Sequence, residues 1–147
     1  MVLTRDDAQS GCESNNLTLA VPRTSEEFAA LRTFLDDQSV TGSEPRGYQQ
    51  AWIGLERWGG MSLWLDETEF AEIDRWAPGQ PSYDGNCVSI MNDTGIHWML
   101  NDIGCDLFKL SSVCQPRRKY SIHATILSLI SRESSVLFRD LIGERCV

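Results

Sequence analysis

The five cysteines constrain the fold of this 147-residue chain more than any other feature. They lie at positions Cys12, Cys87, Cys105, Cys114 and Cys146, and no two of them form a C-x-x-C pair. Because the chain has only two histidines besides, a structural zinc site is disfavoured. Disulfide bonds are the better use of these cysteines, and they indicate an oxidising compartment. We therefore expect an extracellular or secreted protein.

The N-terminal segment does not fit this expectation directly. Residues 1–11 contain no apolar run of the kind that a signal peptide needs. Either the chain is cytosolic with free thiols, or the sequence lacks its true start, and the cysteines favour the second alternative. Two Asn-x-Thr sequons, at Asn16 and Asn92, are consistent with a secreted glycoprotein.

Length and charge exclude several classes of protein. A chain of 147 residues predicts one domain with a tail, and its net charge of −8 argues against a nucleic-acid partner. The apolar run at 122–130 is far shorter than the roughly 20 residues that span a bilayer, so no transmembrane segment is expected.

Local patterns predict two helices followed by short strands. The first helix covers residues 4–15, and the second follows the capping box Thr24-Ser25-Glu26-Glu27, with an apolar face at Phe28, Leu31 and Leu35. Brief apolar runs at 51–55, 87–91, 96–100 and 110–115 predict strands, and 76–86 is rich enough in proline and glycine to be a long ordered loop. This order of elements indicates an α+β domain.

The tail, residues 116–147, has a different composition from the rest of the chain. Its apolar residues predict an amphipathic helix that packs on the domain or, alternatively, lies on a membrane surface or a partner. Cys146 is left over from the pairing of the other cysteines and is expected to be available for a dimer between two chains.

In the order and spacing of several motifs, the chain resembles a C-type lectin-like domain over about residues 4–115. These motifs are the helix positions Ala8 and Cys12, the strand WIGL at 52–55, Trp76 followed by GQPS, NDIGC at 101–105 and SSVC at 111–114. The resemblance implies two helices flanking small antiparallel sheets, with a long loop region that carries the ligand site. It also implies the disulfide pairs Cys12–Cys114 and Cys87–Cys105.

The start of the domain departs from the family pattern. The family has a strand before its first helix, whereas almost nothing precedes Thr4 here, and Arg5 replaces a frequent tryptophan. We therefore expect a truncated N-terminus and an exposed strand edge at 111–114.

The resemblance also implies a candidate calcium site. Its ligands would be the side chains of Gln80, Ser82, Asp84, Asn101 and Asp102, which offer the oxygen atoms that this hard cation prefers. The serine is a departure, because the family has an amide or a carboxylate at that position. The alternative is that Asn101 and Asp102 only turn the chain, as Asn and Asp often do.

Aromatic residues divide into two groups in this interpretation. We expect Trp52 and Trp76 to lie in the core, whereas Trp58 and Tyr83 are the candidates for exposed aromatic side chains. Tyr83 directly follows Ser82, so it joins Gln80, Ser82, Asn101 and Asp102 as a candidate ligand-binding residue.

Two functions follow from these residues. The first is a calcium-dependent carbohydrate-binding module, of galactose type if Gln80 keeps its family meaning, with a glycan or glycoprotein as its ligand. The second is a calcium-independent module that binds a protein and has a degenerate sugar site. An enzyme is not expected, because no phosphate-binding glycine loop is present and His97 is expected to be packed in a strand beside Trp98.

Overall fold

The structure, a computed structural model, describes residues 2–38, 49–70, 75–93 and 96–117. The predicted helical tail from residue 118 onward and Cys146 lie outside these ranges. The elements in chain order are helix α1 (Arg5–Ser14), strand β1 (Leu17–Leu19), helix α2 (Ser25–Asp36) and strands β2 (Gln49–Trp58), β3 (Met61–Trp64), β4 (Cys87–Asp93), β5 (Ile96–Ile103), β6 (Ser111–Ser112) and β7 (Cys114–Pro116).

Both helices begin where the sequence predicts. Thr4 caps α1, because its hydroxyl accepts a hydrogen bond from the backbone N–H of Asp7. The capping box of α2 is confirmed in full: the Thr24 hydroxyl accepts from the N–H of Glu27, and the Glu27 carboxylate accepts from the N–H of Thr24. The predicted apolar face of α2, formed by Phe28, Leu31 and Leu35, is buried.

The strands form two sheets, which confirms the α+β class. The larger sheet has the order β3-β2-β4-β5 with antiparallel neighbours, and β6 pairs in parallel with β2. The smaller sheet pairs β1 with β7. Strand β1 was not predicted, because a strand of three residues is too short to show an alternating pattern.

The residues before α1 take part in this pairing. Leu3 and Leu110 form an antiparallel bridge with two backbone hydrogen bonds of 2.9 Å each. This bridge directly precedes the strand edge expected at 111–114, where Ser111 and Ser112 pair with β2 and Cys114 pairs with Leu19 of β1.

Strand β2 separates two clusters of buried side chains. Ile53 and Leu55 belong to the larger cluster, which also holds the buried face of α2, whereas Trp52 belongs to the smaller cluster beside α1. Trp52 and Trp76 are both buried, as predicted. This central position of β2 matters for function, because Glu56 and Arg57 near its end form ion pairs on its two faces.

Two disulfides connect these layers, in the pairing that the resemblance implied. Cys12–Cys114 joins α1 to β7, and Cys87–Cys105 joins the start of β4 to the segment after β5. In the chain-entropy model, a loop as long as that of the first bridge contributes roughly 4–5 kcal/mol. The second bridge closes a short loop beside the candidate site.

Candidate functional site

The candidate site centres on the carboxylate of Asp102, near the end of β5. This side chain is fully buried, at 0% exposure, and four donors surround it. Oδ1 accepts from the backbone N–H of Ser82 at 2.7 Å and from its hydroxyl at 3.3 Å. Oδ2 accepts from the backbone N–H of Tyr83 at 2.9 Å and from the Arg57 guanidinium at 3.0 Å. The carboxylate thereby ties the long loop to two strands.

Arg57 supplies the charge that compensates Asp102. It lies near the end of β2 and is itself only 5% exposed. Its Nη1 forms the ion pair with Asp102, while its Nε has no hydrogen-bond partner in the part of the chain that the structure describes. Burial of a carboxylate is costly unless it is paired, and Arg57 provides the partner from within the chain.

Aromatic rings cover the rest of the guanidinium. Cζ of Arg57 lies 4.4 Å from the centroid of the Tyr83 ring and 5.7 Å from that of the Trp76 ring. These distances are in the range of cation–π attraction. Trp76 is buried, but Tyr83 is 77% exposed. The Tyr83 ring therefore contacts a buried cation, while most of the tyrosine surface is exposed to solvent.

The structure brings three of the predicted ligands together, but they bind one another. The side-chain oxygen of Gln80 accepts from the N–H of Ser82 at 3.0 Å, and the Ser82 hydroxyl donates to Asp102. The peptide bond between Gln80 and Pro81 is cis. These oxygens are engaged in the conformation of the loop itself.

The other two predicted ligands lie apart from these contacts. Asp84 is exposed at the outer side of the loop. Asn101 precedes Asp102 on β5, where successive side chains point to opposite faces, and the burial pattern follows this alternation from Trp98 through Leu100 to Asp102. Asn101 is accordingly not among the groups that contact the Asp102 carboxylate.

Gly85 explains how the loop comes so close to β5. A Cβ atom at this position would lie 1.9 Å from the carbonyl carbon of Ile103 and 2.4 Å from the backbone nitrogen of Gly104. Any side chain would therefore push the loop off the strand. The backbone contact at Gly85 and the hydrogen bonds to Asp102 fix the loop at two adjacent points.

These contacts test whether the residues fit a calcium ion, and they do not fit. A carboxylate has about four lone-pair positions, and protein donors occupy those of Asp102. A calcium ion about 2.3–2.6 Å from either oxygen would displace a donor and stand beside a guanidinium. Across the described ranges, no three histidine, cysteine or carboxylate side chains lie close enough together to share a metal ion.

Arg57 was not among the predicted site residues, although the sequence contains a signal for it. Arg57 continues the alternation of Ile53 and Leu55 along β2, and both of these lie in the larger cluster. Asp102 continues the alternation of Trp98 and Leu100, which lie in the same cluster. Opposite charges at the ends of two strand faces that enter one core indicate a buried ion pair.

A second ion pair lies on the other face of β2. Arg5, at the start of α1 and 1% exposed, donates to Oε1 of Glu56 at 3.0 Å, and the indole N–H of Trp58 donates to Oε2 of Glu56 at 3.1 Å. Burial lowers the pKa of Arg5, and the Glu56 carboxylate opposes this effect. Trp58 is 57% exposed, so the expectation of exposed aromatic side chains is confirmed for it and for Tyr83.

The expectation that His97 is packed in a strand was wrong. His97 is exposed, and its Nε2 contacts the Asp36 carboxylate at 3.0 Å, while the neighbouring Trp98 is buried and donates to Asp36 at 2.7 Å. Strand alternation explains the difference, because it turns Trp98 inward and His97 outward.

Within the described residues, no helix is long and apolar enough to cross a bilayer.

Comparison with known proteins decides the family. The family model of the lectin C-type domain matches residues 2–116, which is most of the chain. The chain belongs to the C-type lectin domain family. This membership confirms the predicted resemblance and accounts for the two disulfides and the loop region of the fold.

Similar proteins are themselves lectins. The C-type lectin mosGCTL-7 of Aedes aegypti is 32% identical over 63 residues, which are 40% of this chain and 42% of that protein. The match thus spans less than half the length of this relative. Among solved structures, the SPL-1 complex with GlcNAc has a TM-score of 0.65 at 27% identity and covers 77% of this chain and 79% of that one.

A further structure resembles the chain in fold. It is the Ca2+-independent C-type lectin SPL-2 from Saxidomus purpuratus, with a TM-score of 0.65, 23% identity, and coverage of 77% of this chain and 78% of that one. The C-type lectin domain described here shares its backbone architecture.

Proposed function

We propose that this C-type lectin domain binds carbohydrate at the loop surface around Tyr83, and that no calcium ion held by Asp102 is needed. The family membership supports a carbohydrate-binding module in place of an enzyme. The SPL-1 structure contains GlcNAc, so N-acetylhexosamines are the first sugars to test. The observation that carries the proposal is the exposed Tyr83 ring held on a buried guanidinium.

The chemistry of this surface suits a sugar. A pyranose ring has an apolar face of C–H groups, which packs against an aromatic ring, and a rim of hydroxyls that form hydrogen bonds. Tyr83 offers the ring and its own hydroxyl. Gln80 and Asp84 lie within three residues of it and carry an amide and a carboxylate that can pair with hydroxyls.

A calcium-dependent, galactose-type mode has less support. That mode needs free oxygens on Gln80 and Asp102, and in this loop both accept hydrogen bonds from Ser82. Galactose recognition through Gln80 would require the loop to give up these bonds. We therefore expect affinity for sugars to be the same in EDTA and in millimolar calcium.

The test is binding of GlcNAc- and galactose-terminated glycans by Tyr83→Ala and Tyr83→Phe variants in EDTA. We expect the alanine variant to lose about tenfold or more in affinity, because a stacked ring contributes 1–3 kcal/mol in comparable contacts. The phenylalanine variant should retain most of the affinity. Trp58→Ala is the matched control, since it removes an exposed aromatic side chain that contacts Glu56 on the face of β2 opposite to Arg57.

Two results would reject the proposal. Undiminished glycan binding by a folded Tyr83→Ala variant would remove Tyr83 from the site. Binding that EDTA abolishes and calcium restores would favour the calcium-dependent mode instead.

Both disulfides favour an oxidising compartment, so the protein should be produced by secretion into the medium or into a bacterial periplasm.

A protein-binding module is the second candidate, and one observation favours it. Trp58 and Met61 face each other across the tight turn between β2 and β3, with exposures of 57% and 52%. Exposed apolar pairs of this kind occur in protein interfaces. If an array of glycans gives no binding, this hairpin is the surface to test against protein partners.

A further inference from the structure

Arg57 lies where three parts of the molecule meet. Its backbone belongs to β2, its Nη1 reaches Asp102 on β5, and the Tyr83 ring of the loop covers its guanidinium. Its backbone N–H also donates to the carbonyl of Asn86 at 2.8 Å, at the end of the same loop. A single residue thus contacts both ends of the segment 83–86.

The loop depends on this residue through Asp102. The backbone N–H groups of Ser82 and Tyr83 both point at the Asp102 carboxylate, at 2.7 and 2.9 Å. Hydrogen bonds from backbone N–H groups to a carboxylate are among the stronger hydrogen bonds in proteins. In this fully buried position, the Arg57 guanidinium 3.0 Å away compensates the cost of removing the carboxylate from water.

Tyr83 depends on the same arrangement. Its φ of 66° lies in the left-handed region, which a tyrosine rarely adopts without compensation. The hydrogen bond from its N–H to Asp102 and the contact of its ring with Arg57 provide that compensation. Both contacts end at the Arg57–Asp102 pair.

We propose that Arg57 is a built-in cation that orders the 80–85 loop through Asp102, in the place where a divalent metal ion would otherwise be needed. Arg57 is a positioning residue in this account, because it acts on the ligand surface through Asp102 and Tyr83. The inference extends the proposed function by naming what presents Tyr83. It concerns the loop itself and can be tested without a sugar.

The first experiment measures amide hydrogen exchange of the full-length oxidised chain in EDTA. In the wild-type protein, the amides of Ser82 and Tyr83 should be protected, because both donate to a buried carboxylate. In Arg57→Met, which keeps the length of the side chain and removes its charge, we expect these two amides to exchange at least about tenfold faster. The amides of α2 should change much less.

Arg5→Met is the matched control for a general loss of stability. Arg5 is as buried as Arg57 and forms an ion pair of the same length, but with Glu56 on the other face of β2. This variant should loosen the junction of α1 and β2 and leave Ser82 and Tyr83 protected. Equal effects of the two substitutions on these amides would overturn the proposal.

Arg57→Lys keeps the experiment decisive if Arg57→Met does not fold. Lysine retains the positive charge and most of the reach but lacks the planar guanidinium that stacks on Tyr83, so the two amides should exchange faster than in the wild type and stay protected to within about tenfold of it. A folded Arg57→Lys variant in which both amides are unprotected would contradict a cation-based role. Unchanged protection of both amides in a folded Arg57→Met variant would likewise contradict the cation-based role.

Glycan affinity separates this inference from the proposed function. If Arg57→Met loosens the loop and the wild-type protein binds no sugar, the positioning role stands and the proposed function fails. If the wild-type protein binds sugar in EDTA and Arg57→Met keeps both amides protected, the proposed function stands and the positioning role fails.

Discussion

Two buried arginines form ion pairs on opposite faces of β2, and the two pairs have different roles. Arg5 and Arg57 are 1% and 5% exposed, each forms an ion pair of 3.0 Å, and each has a buried Nε without a hydrogen-bond partner among the described residues. Their partners differ. The side chain of Glu56 is 30% exposed, whereas that of Asp102 is fully buried.

This difference in burial indicates which pair organises a functional surface. Glu56 can exchange part of its interaction with Arg5 for water, so that pair mainly joins a helix to a strand. Asp102 has no access to water, and its remaining lone pairs accept from the backbone of the loop. A substitution at Asp102 is therefore expected to disturb Tyr83, whereas a substitution at Glu56 should affect only the contact between α1 and β2.

The largest expected effect is that of Asp102→Asn. The substitution leaves Arg57 without its counter-charge and turns an amide group toward donors. We expect a loss of about 3–5 kcal/mol in the free energy of unfolding, as for other broken buried pairs. Denaturant unfolding of the oxidised protein measures it. A loss below about 1 kcal/mol would show that the pair is not closed to water.

Gly85→Ala tests the loop without touching either arginine. The added Cβ would meet the backbone of Ile103, so the loop has to shift. We expect a loss of about 1–3 kcal/mol, as for other overpacked positions. Exchange of the Ser82 amide should also rise, because the shift pulls its N–H away from Asp102. A stable variant with unchanged exchange would show that the loop is not held against β5.

Glu56→Gln is the counterpart of Asp102→Asn on the other face of β2. The substitution leaves the buried charge of Arg5 without Glu56, but the carboxylates of Asp6 and Glu13 also attract this charge, and water reaches the partly exposed position 56. We expect a loss of about 1–2 kcal/mol, between the values for surface and buried pairs. A loss equal to that of Asp102→Asn would erase the distinction between the two pairs.

The smallest effect is expected at a third, exposed pair. The pKa of Asp36 is lowered: burial acts to raise it, and the hydrogen bonds from His97 and Trp98 outweigh that effect. Such a carboxylate stabilises the fold above its unfolded-state pKa of about 3.9, and the contribution is lost as the pH falls through the lower folded-state value.

Asp36→Asn should accordingly lose less than about 1 kcal/mol at pH 7, because its partner His97 is exposed. The difference from the wild-type protein should shrink as the pH falls from about 5 to 2. Thermal unfolding across this range measures the trend. A difference that grows on acidification would contradict the assigned direction of the pKa.

Local signals made much of the fold predictable. The capping box predicted the start of α2, and brief apolar runs predicted the central strands. The motif resemblance implied both disulfide pairs. The features that were not predicted are either very short or long-range. Strand β1 has only three residues, and Arg57 and Asp102 are separated by 45 positions in the chain. No pattern in a single segment reports such a contact.

The candidate site shows the same limit. The Asn101-Asp102 pair was interpreted as two ligands because it matches the motif that the family resemblance implies. On a strand, adjacency separates side chains, so only Asp102 reaches the loop. The chemistry of Asp102 was visible in the sequence, but its partners were fixed by how β2, β5 and the loop fold together.

Calcium titration calorimetry of the wild-type oxidised protein tests the central claim most directly. Since Arg57 and the loop occupy the Asp102 carboxylate, we predict no saturable heat of binding up to millimolar calcium, and the same melting temperature in calcium and in EDTA. Saturable binding that raises the melting temperature and disappears in Asp102→Asn would contradict the claim that Arg57 takes the place of the metal.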